Sequence, residues 1–294
     1  MSTTYLGGVN MSGSELPNAD FSEYDMNWAD LSNSNLSYAK FNHAILHHSN
    51  LRYANLSNAS FQYTKMQSSN MNFANLSGAY FEGSYMQGTM LLCADITGAK
   101  FLGVDLSHAI LGEANLRDAN MAGVNLRDAV LKDSNLFRTN LINAKLIHAF
   151  LDFANMTKSD LTSANMRKAS LAYTNLAMAN LFNANLSNAN MENANLTGAN
   201  LTGADLTNVD FSGADMCNVK LTGATLTKAN MRGVNLIGTN LENIDLSGVN
   251  LTGANLSYAN LSGANLTKTD LTNAILTNAI LTGTNFTGAI GLPE

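Results

Sequence analysis

The sequence predicts an all-β solenoid whose coils have four sides, and two regularities carry this prediction. The first is a large apolar residue at every fifth position: from Leu6 to Phe286, all 57 such positions hold Leu, Met, Phe or Ile. A period of five fits neither an α-helix nor a long strand, so it indicates a short strand followed by a turn. The second is phenylalanine at every twentieth position early in the chain, at Phe21, Phe41, Phe61, Phe81 and Phe101.

Each five-residue unit contains positions with different roles, as residues 194–198 illustrate. We call the large apolar residue, here Leu196, the centre; Ala194 occupies the small inner position, Asn195 the outward position and Gly198 the corner. Residues two apart in an extended segment point to the same side, so Ala194 and Leu196 face the interior. Of the 57 corners, 19 are Gly and 12 are Asn, which accept the positive φ of a type II turn.

The spacing of the phenylalanines predicts the size of one coil. A residue that recurs every 20 positions indicates four units per coil, and stacked coils would place the five rings in one internal column, about 4.8 Å apart. The chain would then form about 14 coils. Because the register holds without a break, we expect no inserted loop.

The unbroken repeat, most regular in the stretch NLFNANLSNANMENANLTGANLTGADL, resembles the pentapeptide repeat proteins. The resemblance covers residues 4 to 290 and implies their fold, a right-handed quadrilateral β-helix; the hand of the coil rests on the resemblance alone. We expect a single solenoid domain over residues 1–294, in which 291–294 end the repeat. Gly291 replaces a centre there, and Pro293 cannot donate a backbone hydrogen bond.

Composition narrows the class of protein. The chain is 46% hydrophobic and 13% charged, with a net charge of −6, and no apolar run approaches the length of a membrane span. Its first residues show no secretory signal. Cys93 and Cys217 are too far apart in the predicted coil to pair, which fits a reducing compartment. We expect a cytoplasmic protein without membrane insertion or direct binding of nucleic acid, although secretion as an effector stays open.

The sequence offers no arrangement that favours catalysis or metal binding. His108 and His148 share a corner column but lie two coils apart, roughly 9.6 Å, which is too far for one metal ion. Asp205, Asp210 and Asp215 lie on three successive sides and point apart, so they form no acid/base pair. A regular convex solenoid also predicts no pocket. We therefore expect no catalytic residue, no cofactor and no metal.

One side of the predicted solenoid breaks the rule that outward residues are polar. Met90, Ile110, Val130 and Phe150 occupy the same outward position in four successive coils, and Ile147, His148 and Phe153 surround the last of them. Such a set indicates a protein interface. The alternative is that the four side chains only pack on one another along the stack.

The last coils are also apolar at the outward position, with Ile275, Ile280 and Ile290. These residues make self-association a candidate property. We expect a homodimer, joined either at the C-terminal coils or through the mid-chain apolar column.

The leading functional hypothesis is a non-enzymatic, rigid scaffold that binds a protein through the apolar column. A second hypothesis comes from the resemblance, because one branch of the family mimics DNA and protects type II topoisomerases. Residues 31–168 depart from that branch, since they contain 12 basic and 9 acidic residues. A secreted bacterial effector and a structural spacer without a specific partner are the remaining alternatives.

Overall fold

The computed structural model describes residues 4–292, and the chain divides into two compact units, Met1–Phe150 and Leu151–Glu294. The prediction of one domain over residues 1–294 stays a prediction. Pro293, which belongs to the predicted end of the repeat, lies outside the described residues. Among residues 4–292 there is no helix of a length and apolarity that could cross a membrane.

Parallel backbone pairs between residues 20 apart build the first unit. The pairs run from Tyr5↔Asp25 to Val130↔Phe150, and each one joins the outward residues of two successive coils. We call such a pair a rung. At a typical rung, Asn55 N–H donates to Ser34 O at 2.9 Å and Leu36 N–H donates to Asn55 O at 2.8 Å. The strands are thus single-residue rungs separated by turns, and the predicted coil of 20 residues is confirmed.

The interior of the first unit consists of the centres and the small inner residues. Leu46, Leu56 and Ala54 are buried, as are the other centres from Phe21 onward. The column of phenylalanine rings lies inside this core, with centroids 5.3, 4.9, 5.0 and 4.4 Å apart along the series Phe21, Phe41, Phe61, Phe81 and Phe101. Small inner residues leave the space that these rings fill.

The corners adopt the positive φ that the sequence predicts, even where the residue is bulky. Tyr53 has φ 59° and Phe73 has φ 62°, a conformation that costs an L-residue on the order of 1–3 kcal/mol. Contacts along the column offset this cost: Tyr53 N–H donates to Asn72 O at 3.1 Å, and the rings of Tyr53 and Phe73 stack with centroids 4.9 Å apart. The turn closes through Ala54 N–H, which donates to Leu51 O at 3.2 Å.

Outward asparagines serve both their own turn and the neighbouring coil. Asn55 Nδ2 donates to Asn35 Oδ1 at 3.1 Å, whereas Asn55 Oδ1 accepts from Ser57 N–H at 3.2 Å. Asn75 continues the same ladder by donating to Asn55. The Asn side chain carries its donor and its acceptor on two separate atoms, so Nδ2 bonds the neighbouring coil while Oδ1 bonds the residue's own turn, whereas Ala has neither group; this explains the frequency of Asn at this position.

The second unit repeats this architecture, with rungs from Asn155↔Asn175 to Asp270↔Ile290. Its described residues lack one rung of this series, the pair Thr225 and Asp245. A cavity of about 400 Å³ lies there between two successive coils. The prediction that the solenoid has no pocket is therefore wrong at this place.

An oversized residue explains the missing rung. Ile244 occupies a small inner position, which elsewhere in the second unit holds Ala, Ser, Thr or Val. It is 8% exposed, and Ala224 in the coil before it is half-buried, whereas Ala204 and Ala264 of the same column are buried. Extra methyl groups in a close-packed layer force the surrounding backbone to move. Ile244 thus separates the two coils locally.

Candidate protein-binding surface

Four apolar outward residues follow one another along one side of the first unit. Rungs join Met90 to Ile110, Ile110 to Val130, and Val130 to Phe150, so the four side chains form one column. Ile110 and Phe150 are 42% and 49% exposed, and Met90 and Val130 are partly exposed. The column is about 15 Å long at the spacing of neighbouring strands. We call these four residues the apolar stripe; the preceding residue on that side is the polar Asn70.

Leu92 widens the stripe at the Met90 end. It is half-buried, and its Cδ1 would lie 3.3 Å from a Cβ atom added to Gly112, so the absence of a side chain on Gly112 makes room for it. The repeat pattern does not mark Leu92, because the position after a centre is normally part of the turn. A second apolar residue so close to Met90 is the signal that identifies it.

A charged corner borders the stripe. His148 Nδ1 lies 3.3 Å from Asp128 Oδ1, and Arg127 Nε donates to Asp128 Oδ2 at 3.2 Å. His108, in the coil before Asp128, approaches the same carboxylate at 4.0 Å. Asp128 is therefore shared by groups from three successive coils, and the border of the stripe presents charges of both signs.

The other residues of the predicted interface divide between the two units. Ile147 and His148 lie at the corner before Phe150 in the first unit, and both are half-buried. Phe153 belongs to the second unit, where its exposed ring stacks on Tyr173 with centroids 5.1 Å apart and planes 3° apart. The first unit thus brings together Ile147, His148 and the stripe, and their role as an interface stays a prediction.

The isoleucines predicted to mediate self-association lie on three different sides of the second unit. Their rungs are Asn255↔Ile275, Asn260↔Ile280 and Asp270↔Ile290, and all three side chains are exposed. Leu281, a centre, is also exposed, although most centres of this unit are buried. The apolar surface therefore extends around the last described coil and does not form a single-sided stripe.

Cys93 lies in the first unit, and Asp205, Asp210 and Asp215 lie in the second. Desolvation, together with the neighbouring Glu113, raises the pKa of the Cys93 thiol, which keeps it protonated and weakly nucleophilic. Asp205, Asp210 and Asp215 stand on rungs of three successive sides. Within residues 4–292, no group of three or more His, Cys, Asp or Glu side chains is placed to hold a metal ion.

Comparison with known sequences identifies one family. The family model for pentapeptide repeats matches the chain in eight copies, over residues 2–33, 25–72, 64–103, 99–136, 134–172, 179–218, 214–253 and 254–290. No curated protein sequence matches the chain significantly.

Several solved structures are similar to this chain. One is HetL from the cyanobacterium Nostoc, a pentapeptide repeat protein involved in heterocyst differentiation regulation; it is 26% identical, with 98% of this chain and 92% of that chain covered, at a TM-score of 0.24. A pentapeptide repeat protein from the cyanobacterium Cyanothece is 22% identical, with 44% of this chain and 91% of that chain covered, at a TM-score of 0.24. QnrB1, a plasmid-mediated fluoroquinolone resistance protein, is 18% identical, with 82% of this chain and 88% of that chain covered, at a TM-score of 0.21.

Proposed function

Because the chain belongs to the pentapeptide repeat family, whose members fold as right-handed quadrilateral β-helices, we propose that it is a non-enzymatic scaffold that binds a partner protein through the apolar stripe. Members of this family are in general structural or interaction modules and not enzymes. The observation that supports the proposal is the unbroken run of apolar outward residues, Met90, Ile110, Val130 and Phe150, on a surface whose other outward residues are mostly polar.

The partner surface follows from the chemistry of the stripe and its border. A narrow apolar ridge fits an apolar groove, and Phe150, the aromatic residue of the stripe, is half exposed. An anchor of this kind typically costs about 2 kcal/mol or more of binding free energy when it is truncated. Arg127, Asp128 and His148 would lie at the rim of the contact, where charges affect specificity and association rate more than affinity.

A pull-down with matched variants tests the proposal. Val130→Asp combined with Phe150→Asp places two charges on the stripe and leaves the core intact, since both side chains point outward. The control is Asn120→Asp combined with Asn175→Asp, which adds the same charge at polar outward positions away from the stripe. Both control side chains accept a hydrogen bond from the backbone two residues ahead, a role that Asp fills equally well. Thermal unfolding establishes that each variant is folded.

A protein that is recovered with the wild type and the control, but not with the stripe variant, supports the proposal. Equal recovery with all three proteins contradicts it. If the stripe variant unfolds while the control does not, the outward placement of Val130 and Phe150 is wrong.

Self-association is a second candidate, favoured by the exposure of Ile275, Ile280 and Ile290. We propose a homodimer in which these residues, or the apolar stripe, contact a second copy of the chain. Light scattering at micromolar concentration distinguishes the two contacts, because Ile280→Asp with Ile290→Asp would abolish only the first. A single species of 31.4 kDa for the wild type would contradict both. The two cysteines are free thiols, which fits the proposed cytoplasmic location.

A further inference from the structure

The single tryptophan of the chain, Trp28, has one face of its ring covered and the other face open. It stands at a corner of the first unit with φ 61° and is 67% exposed. His48, at the same corner of the next coil, stacks on one face with centroids 4.3 Å apart and planes 17° apart. The same corner of the preceding coil is Gly8, which has no side chain to cover the other face. The stack therefore ends at an exposed indole face.

Two adjacent glycines keep the space beside this face accessible. A Cβ atom added at Gly8 would meet no described atom within 4 Å, so no described side chain fills that space. A Cβ atom added at Gly7 would lie 2.5 Å from Cζ of Tyr5, so the ring of Tyr5 lies against Gly7, and it is 73% exposed. Trp28 and Tyr5 thus present two aromatic surfaces at one corner.

Carboxylates flank the corner on the two sides that meet there. Asp25 forms a rung with Tyr5 on one side, and Asp30 belongs to the next side. Asp25 Oδ1 accepts from Asn27 N–H at 3.1 Å. Asp30 Oδ1 accepts from Ser32 N–H at 3.0 Å, and the hydrogen bonds from Ser32 lower the pKa of Asp30. These bonds hold both side chains in place through Oδ1, so Oδ2 of each is available to a ligand.

The coils around this corner carry negative charge without a basic residue. Residues 4–39 contain no Lys or Arg but five carboxylates, Glu15, Asp20, Glu23, Asp25 and Asp30. The first basic residue, Lys40, forms a rung with Asp20 on a side away from Asp25 and Asp30. Such a field attracts cations, and the face of a Trp ring is the aromatic surface that binds a cation best. The corner therefore combines the two features that favour a positively charged ligand.

We propose that this corner binds a basic segment of a partner protein, with one arginine side chain stacked on the free face of Trp28. A guanidinium group is planar, so it can lie parallel to the indole as the next member of the stack. Its N–H groups lie in that plane and can donate to Asp25 or Asp30. A lysine ammonium is compact and strongly hydrated and gains less from the flat surface. This contact is independent of the apolar stripe, which begins three rungs after Asp30, at Met90.

Titration with a defined peptide tests this inference on the full chain. The probe is acetyl-Gly-Arg-Gly-Arg-Gly-amide. One control peptide has citrulline in place of both arginines, which keeps the planar shape without the charge, and another has lysine, which keeps the charge without the plane. Fluorescence reports directly on the site, because Trp28 is the single tryptophan. Isothermal titration calorimetry measures binding to every variant, including the one that lacks the ring.

One pair of variants tests the open position. Gly8→Asn should fill it, because Asn accepts a positive φ and its side chain leans over the next corner, as that of Asn183 does at Gly203. The control is Gly13→Asn, at another corner of the same coil with the same φ of 69° and equally open surroundings. Trp28→Leu removes the ring independently of Gly8.

A second pair of variants tests the carboxylates. Asp25→Asn combined with Asp30→Asn removes two charges beside Trp28 and keeps the acceptors of the backbone bonds. The control, Glu15→Gln combined with Asp20→Asn, removes the same charge from the two other sides of the coil. Thermal unfolding establishes that the four variants and Trp28→Leu are folded.

The arginine peptide should change the emission of Trp28 saturably, and the citrulline peptide should not. Gly8→Asn and Trp28→Leu should each weaken binding by roughly two- to thirtyfold, as the loss of a cation–π contact would, whereas Gly13→Asn should leave it unchanged. The variant lacking both Asp25 and Asp30 carboxylates should bind more weakly than its control.

Absence of saturable binding at millimolar probe, or equal binding of the citrulline peptide, overturns the proposal. Equal weakening by Gly8→Asn and Gly13→Asn, or full binding by Trp28→Leu, shows that the free ring face is not the site. Equal loss from the two charge pairs shows a general attraction to the acidic coils and also overturns the proposal. Equal binding of the lysine peptide contradicts the stacked guanidinium.

Discussion

Arg138 holds the carboxylate of Asp118 through two parallel hydrogen bonds across one coil. Its Nε donates to Oδ1 at 2.6 Å and its Nη2 donates to Oδ2 at 2.7 Å, while Arg117 Nε approaches the same carboxylate at 3.2 Å. Both guanidinium groups also lie 5.2 Å from the ring of Phe137. Two adjacent corners of the first unit are thus joined by side chains in addition to their backbone bonds.

This pairing predicts a loss of stability in acid. The hydrogen bond from Arg138, followed by that from Arg117, lowers the pKa of Asp118 in the folded protein. A lowered carboxyl pKa contributes stability that is complete above the unfolded value of about 3.9 and is lost as the pH falls through the folded value. Asp118→Asn should therefore reduce the fall in the unfolding midpoint that occurs as the pH drops below the unfolded value of the carboxyl pKa. Asp133→Asn, at a corner where Lys132 approaches only to 4.0 Å, is the control, and an equal effect of both changes would contradict the prediction.

Substitutions at a core centre of the second unit should cost much more stability than a substitution in the turn that follows it. Leu196 is fully buried, so Leu196→Ala should lower the free energy of unfolding by about 2–5 kcal/mol. Leu196→Asp should lower it further, because it buries a charge without a partner. Thr197→Ala removes only a bond from Oγ1 to Asn195 Oδ1 and should cost about 1 kcal/mol or less. Denaturant unfolding measures all three, and equal values would show that Leu196 does not occupy an inward position.

Two corner glycines with the same backbone φ should differ in how much their substitution by alanine destabilises the protein. Gly203 and Gly253 both have φ 70°, and a left-handed conformation costs alanine about 1 kcal/mol. A Cβ atom at Gly253 meets no atom within 4 Å, whereas one at Gly203 collides with Asn183 Oδ1. Gly203→Ala should therefore lower the unfolding midpoint more than Gly253→Ala. An Asn183→Gly background should remove the difference; if it persists there, contact with Asn183 is not its cause.

The open rung predicts a local pattern of amide exchange. Leu226 and Asp245 N–H should exchange with solvent deuterium much faster than Leu206 N–H, which donates to Thr225 O at 2.8 Å. Ile244→Ala should slow both sites to the rate of the surrounding coils, because the small side chain lets the walls approach. Unchanged exchange in Ile244→Ala would show that Ile244 does not hold the coils apart.

The sequence predicts the coil and its interior because these depend on one repeated unit. The 20-residue spacing of Phe41 and Phe61 is visible without a structure, and the same spacing appears in every rung. The cavity at the missing rung depends instead on one residue, Ile244, that is larger than the repeat pattern calls for. Its effect is decided by how tightly the adjacent coils pack. Tyr24, which is larger and occupies a small inner position of the first unit, keeps its rungs: its half-buried ring lies edge-on to Phe21 with centroids 6.1 Å apart. Size alone therefore does not identify an opening.

The candidate surface is only partly readable from the sequence for a similar reason. The stripe shares one outward position, so its four residues can be aligned by counting. Leu92 and Leu281 do not stand out in that count: the first follows a centre, and the second is itself a centre that the structure exposes. Exposure of a centre depends on what covers it, which the repeat pattern does not encode.

The rung spacing also sets the step in which a gene for such a protein can gain or lose length. An insertion of 20 codons within one of the two compact units adds one coil. Each later side of that unit then stays in line with its original neighbours. An insertion of five codons keeps the inward and outward pattern but turns every later residue by a quarter of a coil. The rungs between Asn180, Asn200 and Lys220 would then be replaced by pairs from adjacent sides. An insertion whose length is not a multiple of five exchanges core for surface. Duplications in multiples of 20 residues therefore preserve surface columns such as the apolar stripe, whereas single five-residue duplications preserve the fold and redistribute its surface.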